Sequence, residues 1–163
     1  MKNIVLIGMP GCGKTTISQV LAKKIPYELI DLDDYLTDYF KMSIPEMFRL
    51  GEPFFREKET EICFLLKNRE ATIFSCGGGV VLKAINMLYL KENGFVIWLQ
   101  RDLDKIMAGV DIQGRPLLKE GKEKILDLYE ARKDLYALFS DVIVDNNGTI
   151  ENTVKEILEV LPS

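Results

Sequence analysis

The sequence predicts an α/β domain, a five-stranded parallel sheet in three layers with helices on both faces. Short, non-alternating apolar runs recur along the chain, as expected of parallel strands buried on both sides. Stretches of helical periodicity separate them, so each connection is a crossover of the kind parallel strands need. The first run leads directly into Gly8-Met9-Pro10-Gly11-Cys12-Gly13-Lys14-Thr15. That spacing fits a phosphate-binding P-loop between a strand and a helix.

Asn3 to Ile7 reads as the first strand, and Ile17, Val20, Leu21 and Ile25 recur at helical spacing beyond the loop. A second strand over Tyr27–Ile30 ends at Asp31. Ser43-Ile44-Pro45-Glu46 has the form of a capping box, opening a short helix that Gly51 stops. Pro53 then starts a helix running to about Lys67. Further strands are expected over Ala71–Cys76, Phe95–Leu99 and Val142–Val144, with helices over Leu82–Glu92, Lys122–Phe139 and Ile150–Leu161. Two stretches look unlike sheet or core. Residues 34–60 read as a helical insertion, and residues 108–122, polar and glycine-rich, as a mobile lid. The whole is expected to be one domain, in keeping with 163 residues of which 47% are hydrophobic.

Composition narrows the chemistry. A net charge of -4 with no basic run argues against a nucleic-acid partner. No apolar segment approaches the ~18 residues that span a membrane. The first strand begins at once and leaves no room for a signal peptide, and Cys12, Cys63 and Cys76 lack zinc or redox spacing. A cytoplasmic protein with reduced thiols is expected. There is no histidine. Serine–histidine and cysteine–histidine pairs are thereby excluded, leaving carboxylates, lysine, arginine, hydroxyls and a metal.

In a parallel sheet, ligands sit outside the carboxyl ends of the strands. At the P-loop, backbone N–H groups and the start of the following helix face an anion, with Lys14 adding a charge and Thr15 a Mg²⁺-ligating hydroxyl. A nucleoside triphosphate is the expected ligand. Asp31 and Asp33 stand two apart at the end of strand two. In extended backbone both would face the phosphates, one toward a metal and one toward an acceptor hydroxyl; the plainer alternative is a strand-to-helix turn capped by Asp. Strand three ends Phe74-Ser75-Cys76 without a carboxylate, so Asp31 must serve the metal, through a bound water. Gly77-Gly78-Gly79 offer bare backbone to a ligand, or else only a flexible turn.

Arginines carry the remaining signal. Arg132 falls on the apolar face of its helix, three residues from both Tyr129 and Leu135. It either snorkels outward or grips a carboxylate or phosphate bidentately. Arg56, judged alone, is a surface member of a Glu/Lys-rich helix. Arg115 sits in the presumed lid, where closure would bring it onto a transferring phosphate. Cys12 reads as a small filler within the loop.

In this order, the P-loop, Asp31-x-Asp33, Ser43 to Phe48, Gly51-Glu52, Phe55-Arg56-x-x-Glu59, Gly77–Gly79, Arg115-Pro116-Leu117-Leu118 and Arg132 before Tyr136 resemble the shikimate kinase family almost end to end. The resemblance implies a sheet order of 2-3-1-4-5 and ATP-dependent phosphorylation of the shikimate 3-hydroxyl. It implies that Gly11, Cys12, Gly13, Lys14, Thr15 and Thr16 hold ATP, with Arg115 on its phosphates. Mg²⁺ would rest on Thr15 and, through water, on Asp31. Asp33 would bind ring hydroxyls and receive the acceptor proton, making Lys14, Asp33 and Arg115 the catalytic set. Arg56 and Arg132 would clamp the shikimate carboxylate beside Gly78 and Gly79. A monomer acting on ATP and shikimate alone, with no membrane or nucleic acid, is expected. One departure is visible: relatives often carry an arginine that packs on adenine where this chain has Met107-Ala108. The alternatives are a P-loop kinase of another small hydroxyl acceptor, gluconate-like, and a non-catalytic nucleotide-binding regulator.

Overall fold

β1 (Asn3–Ile7) runs into the P-loop and α1 (Lys14–Lys24), followed by β2 (Glu28–Asp31), α2 (Leu32–Phe40), α3 (Ile44–Arg49) and α4 (Glu52–Leu66). Next come β3 (Thr72–Ser75), a 3₁₀ turn (Val80–Leu82), α5 (Ala84–Lys91), β4 (Gly94–Gln100) and α6 (Leu103–Met107). α7 (Lys119–Phe139), β5 (Val142–Asp145) and α8 (Ile150–Val160) complete the chain. These elements come from a computed structural model, which describes residues 2–108 and 119–163.

The strands form one parallel sheet in the order β2-β3-β1-β4-β5, as the family resemblance implied. The register places Leu6 opposite both Ser75 and Ile97, so β1 occupies the middle and all five of its residues are buried. Its continuous Ile-Val-Leu-Ile run suits a strand covered on both faces. The carboxyl ends of β1, β2 and β3 therefore open together, with Asp31 level with Ser75. Because the order reverses at β1, the loops after β1 and β4 diverge and leave the crevice that receives ligands.

Three local expectations are corrected. Asp31 and Asp33 do not share an extended strand: Asp31 ends β2 and caps α2, its carboxylate accepting from the Asp34 N–H at 3.1 Å. The cap satisfies an orphan helix donor, so the helix begins at Leu32 and Asp33 lies in its first turn. The helix expected over Leu82–Glu92 begins at Ala84, because Leu82 closes a 3₁₀ turn instead. α7 starts at Lys119, so residues 119–122 are helical and not part of a loop. Lys119, Glu120, Lys122 and Glu123 are strong helix formers, which outweighs the ~1 kcal/mol cost of Gly121. The rest of the presumed lid, residues 109–118 with Arg115, lies outside the described residues. Ser43 caps α3 as expected, its Oγ accepting from Glu46 N–H at 3.2 Å, but the Glu46 carboxylate accepts from that hydroxyl at 3.0 Å and not from the Ser43 N–H of a full capping box.

Candidate active site

Two cavities open side by side at the carboxyl edge of the sheet. The first, of about 420 Å³, is lined by Gly11, Gly13, Lys14, Thr15, Thr16, Asp31, Asp33, Ser75 and Gly77. Lys14 is only 8% exposed, and its ammonium donates to the Gly8 carbonyl at 2.7 Å and the Met9 carbonyl at 2.9 Å. The charge thus lies folded against the loop, within the phosphate cradle. Cys12 is buried as a filler, 3.6 Å from the Lys14 ammonium. Behind the loop, Asn146 donates to the Cys12 carbonyl at 2.8 Å and accepts from the Thr153 hydroxyl at 2.8 Å. Gly13 adopts φ 101°, and a Cβ there would collide with the Asn146 amide. Asn146 therefore braces the loop from β5, a role no local motif signals.

The second cavity, of about 410 Å³, is lined by Arg56, Glu59, Gly77, Gly78, Gly79, Lys124 and Arg132, with Ile44, Phe48 and Phe55 as its apolar wall. Arg56 leaves the surface expected of it judged alone. Its guanidinium turns toward Gly79, pairing with Glu59 at 3.1 Å and Glu52 at 3.3 Å. Arg132 does not snorkel: it is 8% exposed, and among the described residues no carboxylate forms an ion pair with it. A buried guanidinium so placed is costly without an anion. Glu59 is 1% exposed, and burial raises its pKa against the opposing pull of Arg56. Its i+3 spacing from Arg56 was visible in sequence, but a buried pair and a surface pair look alike there.

The glycines make this convergence possible. A Cβ on Gly79 would sit 2.6 Å from the Arg56 guanidinium carbon, and one on Gly78 would sit 2.7 Å from Pro10 Cδ. The triplet thus admits side chains as much as it offers bare backbone.

Asp33 lines both cavities. Its Oδ1 is buried with no hydrogen-bond partner, and burial, then the neighbouring Asp31 carboxylate, raises its pKa. Lys14 and Arg56 pull the other way. An acceptor oxygen held here stands between phosphates on one side and a cationic cleft on the other. Thr15 and Asp31 share the first cavity, and no group of three or more His, Cys, Asp or Glu residues that could hold a metal occurs among the described residues. Hard oxygen donors this few suit Mg²⁺, which keeps waters and substrate phosphates as its other ligands. A third cavity, of about 470 Å³, lies beyond the P-loop between α6 and the β5–α8 loop, lined by Thr16, Arg101, Lys105, Ile106, Asn146 and Ile150. Arg101 and Lys105 donate to the carbonyls of Asn146 and Asn147 at 2.7 and 2.6 Å, closing its rim.

A P-loop at the switch point of a parallel sheet, joined through one carboxylate to a small arginine-bearing cleft, defines a small-molecule kinase of the P-loop class. The family described as Shikimate kinase matches residues 10–162. The chain is 46% identical to the shikimate kinase of Clostridium beijerinckii, over 99% of this chain and 96% of that one. A Clostridium botulinum shikimate kinase is 43% identical, over 99% and 98%. Among solved structures, the Acinetobacter baumannii shikimate kinase in complex with shikimate superposes with a TM-score of 0.89 at 30% identity, covering 98% of this chain and 92% of that one. The Aquifex aeolicus shikimate kinase gives 0.84 at 30% identity, covering 96% and 94%. The chain belongs to the shikimate kinase family. It is an enzyme, transferring a phosphoryl group from ATP to shikimate.

Proposed function

We propose that the two cavities divide this reaction between them, with ATP phosphates in the P-loop cleft, shikimate in the arginine cleft and Asp33 at the seam. The observation that carries the assignment is that Asp33, Gly77, Gly78 and Pro10 line both cavities. Gly11, Cys12, Gly13, Lys14, Thr15 and Thr16 hold the phosphates, and adenine extends into the third cavity. Arg56 and Arg132 hold the shikimate carboxylate, and Gly78 and Gly79 form the floor beside them. Thr15, and Asp31 through a water, would hold Mg²⁺, which when bound neutralises charge on the β- and γ-phosphate oxygens. Arg115, outside the described residues, is assigned to the phosphates from its motif.

Asp33 receives the proton of the 3-hydroxyl. A carboxylate is a far weaker base than an alkoxide, whose parent hydroxyl has a pKa near that of water at ~16, so Asp33 does not ionise the alcohol in advance. In a loose transition state the proton leaves late, once phosphoryl transfer is nearly complete. Positioning and charge neutralisation by Lys14 and Arg115 then supply most of the acceleration. No described helix is long and apolar enough to cross a membrane. A cytoplasmic monomer with one kinase domain, its residues 34–60 framing the acceptor, is the assignment that goes with this chemistry.

The test is ADP release from ATP and Mg²⁺ with shikimate, quinate, gluconate and AMP as acceptors. Shikimate is expected to be preferred by kcat/KM over each of the others. A preference for gluconate or AMP would transfer the arginine cleft to a different acceptor.

A further inference from the structure

The floor of the acceptor cleft is tied down by a side chain that none of the roles above uses. Tyr136 lies on α7 one turn after Arg132 and is wholly buried. Its hydroxyl donates to the Gly78 carbonyl at 2.6 Å. The ring packs 5.6 Å from Trp98 of β4, which anchors it to the sheet. On its other side Gly78 abuts Pro10 of the P-loop and Arg132 Nη1, at 2.7 and 3.3 Å from where a Cβ would stand. Gly78 is thus gripped between the P-loop and α7.

We propose that Tyr136 is a positioning residue for acceptor recognition, its hydroxyl fixing the Gly78 backbone against which the Arg132 guanidinium lies. The proposal rests on the assignment of the arginine cleft to shikimate. A long guanidinium side chain with no carboxylate partner has no reason to hold one rotamer in the empty site. The Gly78 backbone, held by the Tyr136 hydroxyl and lying beside Arg132 Nη1, supplies that constraint. Burial pushes the Tyr136 hydroxyl up to about 12, so it keeps its proton, and hence its donor role, throughout the working pH range. A bidentate clamp misplaced by ~1 Å loses about 10²-fold in rate, so pre-orientation of this kind is felt in turnover.

Tyr136→Phe removes the hydroxyl and keeps the ring against Trp98. In the whole protein, kcat/KM for shikimate is expected to fall roughly 10- to 100-fold, the scale of leaving the buried Gly78 carbonyl unpaired. The KM for ATP should stay within about twofold. In an Arg132→Lys background the same substitution should cost clearly less, because both act on one contact. Calorimetric titration of shikimate in the cold reads the same loss should the variant's thermal midpoint fall near assay temperature. An unchanged shikimate kcat/KM, parallel losses for ATP and shikimate, or fully multiplicative effects with Arg132→Lys would each overturn the proposal. Failure of the underlying assignment is read separately, in Tyr136-containing protein: no shikimate turnover, or Arg132→Lys with unchanged shikimate kinetics, would remove the cleft from shikimate and the proposal with it.

Discussion

The two halves of the site are built on opposite principles. The nucleotide half is backbone made local: eight consecutive residues, a strand before and a helix after, with one lysine folded into the loop. The acceptor half is side chain made distant: Arg56 from α4, Gly78 and Gly79 after β3, and Arg132 and Tyr136 from α7. A backbone cradle recognises phosphate in any nucleotide and tolerates side-chain change between its fixed positions. A cleft of charged side chains selects one acceptor, and it depends on every supporting pair.

That contrast can be broken most sharply at Lys14. Lys14→Met should leave a folded protein whose turnover is lowered by at least about 10³-fold, a loss of ~4 kcal/mol in transition-state stabilisation. Activity within tenfold of wild type would show that the cradle alone suffices. Arg115→Ala comes next, with kcat lowered roughly 10²–10³-fold and the shikimate KM little changed, as for one preorganised charge donor. An equal rise in shikimate KM would move Arg115 to the acceptor half. Arg132→Lys should cost about 10²-fold in kcat/KM for shikimate, because lysine keeps the charge and loses the planar fork.

The smallest effect concerns stability. The Asp33 carboxyl has its folded pKa raised above that of a free aspartate, chiefly by burial. Between those two pKa values the folded state binds more protons than the unfolded state, so this group lowers stability as pH rises through that window. Asp33→Asn should therefore raise the thermal midpoint at pH 7 by about 2–4 °C for each kcal/mol relieved, while abolishing transfer. The gain should vanish below about pH 4, where the wild-type carboxyl is protonated in both states. A lower midpoint at pH 7 would mean that Asp33 holds the fold together, not the chemistry.

The same contrast governs what could be read from the sequence. The P-loop and its strand are contiguous, so spacing alone located them, and the strand runs placed the other carboxyl edges to within a residue or two. Arg132 was conspicuous because an arginine on an apolar helical face contradicts its surroundings. Asp33 stands out for the wrong geometric reason: a cap at Asp31 turns the chain into α2 at Leu32, so Asp33 projects from a helix and not from an extended strand. Glu59, Tyr136 and Asn146 carried no such contradiction. A glutamate three after an arginine, a tyrosine on an apolar face and an asparagine near a glycine each fit ordinary helix, core and turn. Their partners give them roles: the Gly78 carbonyl lies 58 residues from Tyr136 and the Cys12 carbonyl 134 residues from Asn146, both hydrogen bonds closed by the fold, while Glu59 is set apart by the burial of its pair with Arg56.

Equilibrium binding tests the division of labour between the two clefts without reference to turnover. ADP and shikimate titrated separately into wild type, Lys14→Met and Arg132→Lys should give crossed losses. Lys14→Met should bind shikimate normally and ADP weakly, whereas Arg132→Lys should bind ADP normally and shikimate at least about tenfold more weakly, a difference of ~1.4 kcal/mol. Arg132→Lys binding shikimate as tightly as wild type, or either variant losing both ligands together, would contradict the account.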